Sequence, residues 1–438
     1  MAEAGQILVF RGVRAIDPGV GLDEVSDVVV KQGRIASLGP GVGSEPARAP
    51  DTRVIDGSGR WVLPAFVDQH VHLREPGEEY KETIASGLAA AAAGGFAHVC
   101  AMPNTQPVND TRAVTELMLS RAAQVVGARL HPIGAITQGL EGKRLTEMGE
   151  LSAAGVIAVS DDGRSVTSSA IMRRALEYAS NFGLLLIQHA EDHELTAGAD
   201  MHEGAVSARL GLRGWPRVAE DAIVARDLML AGYVGARYHL AHVSTAGAVE
   251  LVRAAKARGL GVSAEVTPHH LLLTDEALAS YDPLYKVNPP LREETDRSAL
   301  VAALGDGTID SIATDHAPHS SLEKDCEFSA ARSGMMGLEL CFSLVLGLVR
   351  ENQLTLARLV DALSTRPATI LGLEPPRLKV GSLAELVLVD PEARWIPAEA
   401  PLKSKARNSP FLRQTLTGRV LLTLAGGRVV FDRAEERS

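Results

Sequence analysis

Histidine and aspartate residues follow short apolar runs at several places in the middle of the chain. His70 and His72 stand two residues apart in one such run, and His189, His242 and Asp315 lie at the ends of three others. Side chains two apart on a strand point to the same face, so the two histidines of the pair can reach one ion. Imidazole and carboxylate ligands with room left for water are typical of catalytic zinc. The pattern therefore predicts a metal centre that performs hydrolysis.

Two metal ions that share ligands can hold a bridging hydroxide, because each cation lowers the pKa of the bound water. That hydroxide is a nucleophile at neutral pH, and a carbonyl with a nitrogen leaving group is a matching target. Asp315 is the candidate general base that takes the proton and returns it to the nitrogen as general acid. The alternative is that Asp315 only supports His316 or the loop that follows.

A second set of polar residues predicts recognition of an anion. Arg74 lies two residues beyond the histidine pair, and its planar guanidinium suits a carboxylate. Asn104 follows the second apolar run and His319 the eighth, so both can donate hydrogen bonds to the same anion. The alternative for Arg74 is a surface ion pair with Glu75 or Glu78.

The fourth apolar run leads into two adjacent carboxylates, Asp161 and Asp162, and either is a candidate metal ligand. His269 and His270, after the seventh run, are ambiguous. The other histidines without a strand-end placement are interpreted as core, surface or supporting residues, and they are His98, His131, His193, His202 and His239.

The elements that must position these residues alternate apolar strands with amphipathic or alanine-rich helices, which is typical of βαβ units. A long helix is expected over residues 80–93. The eight predicted strands cover residues 66–71, 97–102, 129–135, 155–160, 184–189, 237–243, 261–267 and 310–314. Eight units predict an α/β fold with a closed (β/α)₈ TIM barrel, whose chemistry lies at the carboxyl ends of the strands.

Both ends of the chain are rich in short β-strands separated by Gly, Pro and Asp turn signals. We expect residues 1–63 and 378–438 to form one small composite β-sandwich, with residues 64–377 forming the metallohydrolase barrel. The alternative is two separate β extensions.

The bulk properties exclude several classes of function. The formal net charge of the 438-residue chain is −10 and no basic run is present, so nucleic acid and anionic membranes are not expected partners. Three cysteines without a CxxC pair argue against a disulfide framework and favour the reducing cytoplasm. No signal peptide or membrane span is expected.

Three longer motifs carry a family resemblance. Residues 66–77 read FVDQHVHLREPG, residues 101–105 read AMPNT, and residues 313–319 read ATDHAPH. These segments resemble signatures of the bacterial type I dihydroorotases in the amidohydrolase superfamily, and the resemblance extends along essentially the whole chain. It implies reversible interconversion of N-carbamoyl-L-aspartate and L-dihydroorotate, a step of pyrimidine biosynthesis.

The resemblance also implies two Zn²⁺ ions per subunit, one held by His70, His72 and Asp315 and the other by His189 and His242. It assigns substrate binding to His72, Arg74, Asn104, Asn288, His319, Ser333 and Gly334. Many relatives bridge the metals with a carboxylated lysine on strand four, but residues 156–163 contain no lysine. The type I group uses an aspartate there, and alignment with it favours Asp162 over Asp161 as the bridge.

Two other functions compete with this interpretation. The first is another cyclic amidohydrolase, of the hydantoinase, dihydropyrimidinase or allantoinase type, and the missing lysine together with Arg74, Asn104 and His319 argues against it. The second is an inactive relative that serves as a structural partner of aspartate transcarbamoylase, but the full set of metal-ligand candidates argues against this. An active enzyme of this kind can still join such a complex, and a homodimer is the base-rate expectation.

Overall fold

The computed structural model describes residues 7–435, and within that range the chain alternates strands and helices. The strands are β1 (Ile7–Asp17), β2 (Leu22–Lys31), β3 (Arg34–Gly39), β4 (Thr52–Asp56), β5 (Trp61–Pro64), β6 (Phe66–Val71), β7 (Phe96–Ala101), β8 (Arg129–Pro132), β9 (Ala158–Ser160), β10 (Leu185–Gln188), β11 (Met201–His202), β12 (Gly214–Trp215), β13 (Tyr238–Leu240), β14 (Val262–Val266), β15 (Ser311–Ile312), β16 (Leu386–Trp395), β17 (Leu416–Ala425) and β18 (Arg428–Asp432). The α-helices are α1 (Ile84–Ala93), α2 (Arg112–Ala122), α3 (Met148–Ala153), α4 (Ser169–Ser180), α5 (Ala205–Leu210), α6 (Val218–Val234), α7 (Ala246–Ala257), α8 (Pro268–Leu272), α9 (Glu294–Asp306), α10 (Ser321–Lys324), α11 (Cys341–Arg350), α12 (Leu356–Val360) and α13 (Arg366–Leu371).

Eight parallel strands form a closed ring in the middle of the chain. β6, β7 and β8 pair in that order, and β9, β10, β13, β14 and β15 form a second parallel set. Parallel bridges between Gly134 and Val159 and between Val71 and His316 join the two sets at both edges. Each predicted run overlaps one of these strands, and β7 begins one residue before its run, at Phe96. The strands are nearly all buried on both faces, as expected where helices cover the outside of the ring.

Strands from both chain ends share one mixed sheet, in the order β18-β17-β16-β5-β1-β2-β3, with β4 paired to β1. β5 lies between the strands of the two chain ends: Leu63 pairs with Val387 of β16, and Trp61 pairs with Arg14 of β1. A hydrogen bond from Thr423 Oγ1 to the Ala92 carbonyl oxygen (2.7 Å) fixes this sheet against α1 of the ring.

The helix expected over residues 80–93 begins later than predicted, at Ile84. Thr83 is its N-cap, because the Thr83 hydroxyl accepts from the Ser86 amide and the Ser86 hydroxyl accepts from the Thr83 amide. In the segment before the helix, Lys81 forms an ion pair with Glu323 of α10, and the Glu82 carboxylate accepts a hydrogen bond from the Ser404 hydroxyl. None of the helices between residues 7 and 435 is long and apolar enough to cross a bilayer.

Candidate metal centre and substrate pocket

A cavity of about 400 Å³ opens at the carboxyl ends of the ring strands. All the predicted metal and substrate residues except His70 line it: His72, Arg74, Asn104, Asp162, His189, His242, Asn288, Asp315, His319, Ser333 and Gly334. His70 is fully buried directly beneath the cavity floor, with Nε2 3.2 Å from Asp162 Oδ1. The folded chain therefore brings the whole predicted set together.

Asp162 lies at the centre of the polar cluster. His70, His189 and His242 place ring nitrogens 3.2, 3.8 and 3.5 Å from its Oδ1, and His72 Nε2 lies 3.6 Å from its Oδ2. Two groups of three potential ligands share this carboxylate, one with His70 and His72 and the other with His189 and His242. A residue that belongs to both groups has the position of a bridging ligand.

Three of the four histidines are oriented by acceptors on their far side. His70 Nδ1–H donates to Glu265 Oε1 at 2.9 Å, and His72 Nδ1–H donates to Asn104 Oδ1 at 2.9 Å. His189 Nε2–H donates to Glu191 Oε2 at 2.9 Å. Each ring therefore directs its other nitrogen toward Asp162, and such acceptors fix the tautomer and raise the basicity of a metal-ligating imidazole.

The cluster fits a bound cation. His70 Nε2 is buried and has no hydrogen-bond partner among residues 7–435. Because the ring proton on Nδ1 is donated to Glu265, Nε2 is an acceptor, and it lies 3.2 Å from an Asp162 carboxylate oxygen, which is an acceptor too. Burial raises the pKa of the Asp162 carboxyl, but the surrounding histidines, through the charges of His70 and His72 and a hydrogen bond from His242, outweigh this effect and hold its pKa well below the ordinary value. Because four nitrogens converge on this one carboxylate, the donor set fits metal ions better than a single proton.

The neighbouring carboxylate, Asp161, has a different environment. Its Oδ1 accepts from the amides of Ile136 and Thr137, and its Oδ2 accepts from the Thr137 hydroxyl. These contacts tie Asp161 to the segment after β8 and leave it outside the groups of potential metal ligands. The geometry therefore favours Asp162 over Asp161 as the bridge.

Asp315 approaches the same cluster from the strand that closes the ring. Its Oδ1 lies 3.1 Å from His72 Nε2 and 3.7 Å from His70 Nε2. Its backbone has a positive φ of 46°, which is uncommon for a residue with a side chain. Thr314 on one side donates to Asp68, and His316 on the other lies 3.4 Å from Glu82, so both neighbours are held in place. A carboxylate fixed beside the histidine pair is well placed to transfer protons.

The basic residues of the pocket differ in how they are paired. Arg74 Nε–H donates to the Pro318 carbonyl oxygen at 3.2 Å, and its terminal amino groups form no ion pair among the described residues. The alternative surface pair with Glu75 or Glu78 is therefore not formed. Burial lowers the pKa of the Arg74 guanidinium, which remains a cation at neutral pH. Its free donors are consistent with an anion site.

His319 is also predicted to bind an anion, but in the structure it donates its hydrogen bond to a backbone carbonyl oxygen. Its Nε2–H donates to the Ser333 carbonyl oxygen at 2.8 Å, and its buried Nδ1 has no hydrogen-bond partner among residues 7–435. Burial and the charge of Arg74 lower the pKa of His319 to about 3, so the ring is neutral. The hydrogen bond to Ser333 must therefore be exchanged before His319 can donate to a ligand.

A third group of potential ligands, formed by His202, Asp275 and Glu293, lies outside this pocket. Arg292 Nη1–H donates to His202 Nδ1 at 3.2 Å, so the proton of this neutral ring must sit on Nε2. A protonated Nε2 has no lone pair for a metal, and burial lowers the pKa of His202 to about 4. This group therefore does not fit a metal ion. His269 and His270 are buried beside the pocket and belong to none of these groups.

Two carboxylates that orient the histidines of the cluster were not predicted from the sequence. Glu265 accepts from both His70 and His239, and Glu191 accepts from His189 and from the Asn288 amide at 3.3 Å. Glu265 has a sequence signal, because it is a charged residue inside the apolar run of β14. Glu191 lies two residues beyond His189, but nothing in that spacing indicates its partner.

Comparisons with known proteins agree with this geometry. A family model described as "Dihydro-orotase-like" matches residues 59–248. The dihydroorotase of Anaeromyxobacter dehalogenans (strain 2CP-C) is 54% identical over 97% of this chain and 98% of its own length, and that of Syntrophobacter fumaroxidans is 51% identical over 97% of each.

Solved structures show the fold. The L-hydantoinase (dihydropyrimidinase) of Arthrobacter aurescens superimposes with a TM-score of 0.84 at 24% identity, covering 98% of this chain and 96% of that one. The dihydropyrimidinase of Brevibacillus agri NCHU1002 gives 0.81 at 22% identity, covering 98% and 95%. These are amidohydrolases with a TIM-barrel fold, which agrees with the ring of eight parallel strands. At about half identity over nearly its full length, the chain belongs to the dihydroorotase family.

Proposed function

We propose that this chain interconverts N-carbamoyl-L-aspartate and L-dihydroorotate, as the names of its relatives indicate. The observation that carries the proposal is the guanidinium of Arg74, which forms no ion pair among residues 7–435 and shares one cavity with the histidine–aspartate cluster. Dihydroorotate presents a carboxylate and a cyclic amide on one small ring. A fixed cation and a hydrolytic centre side by side match those two groups.

The proposed metal content is two zinc ions per subunit, supported by the two ligand groups that share Asp162. His70 and His72 would hold one ion with Asp315 as a further ligand, and His189 and His242 would hold the other. When bound, the ions acidify a water molecule and polarise the scissile carbonyl.

The residues of the chain have distinct proposed roles in the reaction. Arg74 and His319 orient the substrate carboxylate, which places the scissile amide over the cluster. Asp315 accepts the proton of the attacking water and delivers it to the ring nitrogen that leaves. Its proximity to His72, at 3.1 Å, supports this role. In ring closure the same carboxyl group acts in the reverse order.

The remaining proposed contacts come from the rim of the cavity. Asn104 now connects His72 and Asp162, with its Nδ2 3.2 Å from Asp162 Oδ2, and would bind the substrate carboxylate by exchanging one of these hydrogen bonds. Asn288 has a buried Oδ1 without a partner among residues 7–435, which leaves an acceptor for a ring N–H. Ser333 and Gly334 would contribute backbone groups, and the φ of 128° at Gly334 suits a residue without a side chain.

The decisive experiment follows both substrates with protein that has been stripped by a chelator and then reloaded with zinc. We expect zinc-dependent interconversion, with carbamoyl-aspartate favoured as the pH rises, because ring closure consumes a protonated carboxyl group. An equilibrium ratio that does not change with pH would contradict this reaction. Turnover of hydantoin or allantoin in preference to dihydroorotate would support the rival cyclic amidohydrolases instead.

We also propose that residues 64–377 form the catalytic domain and that residues 1–63 and 378–438 form a small β-sandwich. Residues 1–6 and 436–438 lie outside the described residues. A separate apolar core between strands of both ends supports the division, with Phe10, Val30, Leu386 and Leu424 among its buried members. Limited proteolysis that cuts first near residues 64 and 378 would agree with it.

The proposal places the enzyme in the cytoplasm as a homodimer. Cys100, Cys326 and Cys341 are free thiols in the structure, which suits a reducing compartment. Light scattering of the purified chain measures the subunit number. Size-exclusion chromatography of a mixture with purified aspartate transcarbamoylase tests assembly with that enzyme: co-elution would support a complex, and separate elution would argue against one.

A further inference from the structure

Three basic side chains line the cavity, and they differ in the charge that they leave uncompensated. Lys81 Nζ lies 2.7 Å from Glu78 Oε1 and 2.9 Å from Glu323 Oε1, so two carboxylates neutralise it. Arg74 is half-buried in the wall of the cavity. The third, Arg332, is exposed to solvent.

The backbone of Arg332 is fixed while its side chain is free. Its amide donates to the Glu323 carbonyl oxygen at 3.1 Å, and its carbonyl oxygen accepts from Lys324 Nζ at 2.7 Å. The next residue, Ser333, accepts from His319. Within residues 7–435, no side-chain hydrogen bond, ion pair or ring contact involves the Arg332 guanidinium. The loop therefore holds an unpaired cation at the rim of the pocket.

A cation at the rim favours the approach of an anionic substrate to this acidic protein. The chain carries a formal net charge of −10, and the Glu78 carboxylate adds a negative charge to the cavity lining that is not among the proposed metal ligands. Like charges repel an approaching anion, whereas a cation at the mouth raises its local concentration and its association rate. A charge at the rim of a binding site acts mainly in this way, through attraction that salt screens.

We propose that Arg332 is a specificity-determining residue that draws carboxylate-bearing cyclic amides and their ring-opened products to the mouth of the pocket. This inference rests on the proposed function, since only an anionic substrate responds to the charge. Arg332 acts before the chemical step, and Arg74 holds the carboxylate once the substrate is inside.

The expected size follows from Coulomb's law. Two unit charges about 7 Å apart in water attract each other enough to change kcat/KM about threefold. Arg332→Ala should therefore lower kcat/KM about threefold and Arg332→Glu about tenfold, while Arg332→Lys keeps most of it. The factor must be the same in both directions of the reaction, because the substitution cannot alter the equilibrium constant.

The experiment measures kcat/KM of the zinc-loaded variants from about 0.01 M to about 0.1 M ionic strength, over which the Debye length falls from about 30 Å to about 10 Å. We expect the deficit of Arg332→Glu to shrink as salt is added. Arg174→Glu is the matched control: Arg174 is an exposed residue of α4 outside the cavity lining, and this substitution changes the net charge equally.

The outcomes separate the two proposals. Equal kcat/KM for Arg332→Glu and the wild type, a deficit that salt does not reduce, or an equal deficit in Arg174→Glu would each overturn the role of Arg332 while leaving the proposed function intact. Wild-type protein that is folded, zinc-loaded and unable to interconvert the two compounds would overturn the proposed function, and this inference with it.

Discussion

Replacing Glu265 by glutamine tests whether the histidine cluster is oriented for metal binding. The Glu265 carboxylate is fully buried and accepts two hydrogen bonds, from His70 Nδ1–H at 2.9 Å and from His239 Nε2–H at 3.2 Å. Burial raises its pKa, but the hydrogen bonds and charges of these two histidines outweigh burial and lower the pKa to about 2. Glutamine keeps the shape but replaces one of the two acceptors with a donor.

The expected loss follows from that exchange. One histidine N–H then faces an amide N–H, and an unsatisfied buried donor costs about 1–3 kcal/mol of folding free energy. If His70 avoids the clash by moving its proton to Nε2, it loses the lone pair directed at Asp162. Loss of such a supporting contact weakens metal binding by about 10- to 100-fold, which corresponds to about 1.4–2.8 kcal/mol.

The assay is competition for zinc between the protein and a chromogenic chelator, combined with urea denaturation of the metal-free protein. Glu385→Gln is the control, because Glu385 accepts from His98 Nε2–H at 3.0 Å and from the Gly426 amide at 3.1 Å, away from the pocket. We expect both variants to lose stability and only Glu265→Gln to lose zinc affinity. Wild-type affinity in Glu265→Gln, or an equal loss in Glu385→Gln, would show that Glu265 does not orient His70 for metal binding.

Three further predictions concern the pocket and its loop. Asp315→Asn should keep the fold and most of the zinc but lose most turnover, measured as kcat beside metal content; surviving turnover would exclude Asp315 as the proton carrier. Arg74→Ala should raise KM and spare zinc, so a loss of zinc would indicate a structural role instead. Burial, followed by the charge of Lys286, lowers the pKa of Lys324 to about 7 from 10.5. The unfolded chain binds that proton more tightly, so denaturation should show wild type gaining stability over Lys324→Met as the pH rises from about 7 to about 10; parallel curves would contradict this.

The strands of the ring could be predicted because each one is a short apolar run bounded by polar or glycine-rich segments. Their lengths could not, since β9 keeps only Ala158–Ser160 of the predicted residues 155–160. The ends of such runs depend on whether a neighbouring strand offers hydrogen bonds, and this is a tertiary property. The same holds for α1, where the side-chain cap at Thr83 sets the first residue even though the sequence pattern extends further upstream.

The ligand candidates could be identified because they recur at one end of successive strands, but their orientation could not. The partners of His70 and His189 lie 195 and 2 residues away, at Glu265 and Glu191, so no single spacing encodes them. The state of His319 is also tertiary, because the acceptor of its proton is a carbonyl oxygen of the loop after the eighth strand. The sequence therefore identifies candidate hydrogen-bond donors, but only the fold shows which donor atoms are left without a partner in the protein.

The sequence pattern does not determine whether Asp161 or Asp162 occupies the bridging position. Adjacent residues at the end of a strand point in opposite directions, so one of the two must face the centre of the ring and the other must face away. The pattern of the run does not say which, because both are polar and both follow Ser160. The neighbouring segment decides it: the amides of Ile136 and Thr137 need an acceptor, and Asp161 supplies it. With that position taken, Asp162 faces the four histidines, and the metal chemistry depends on a backbone requirement of the adjacent strand.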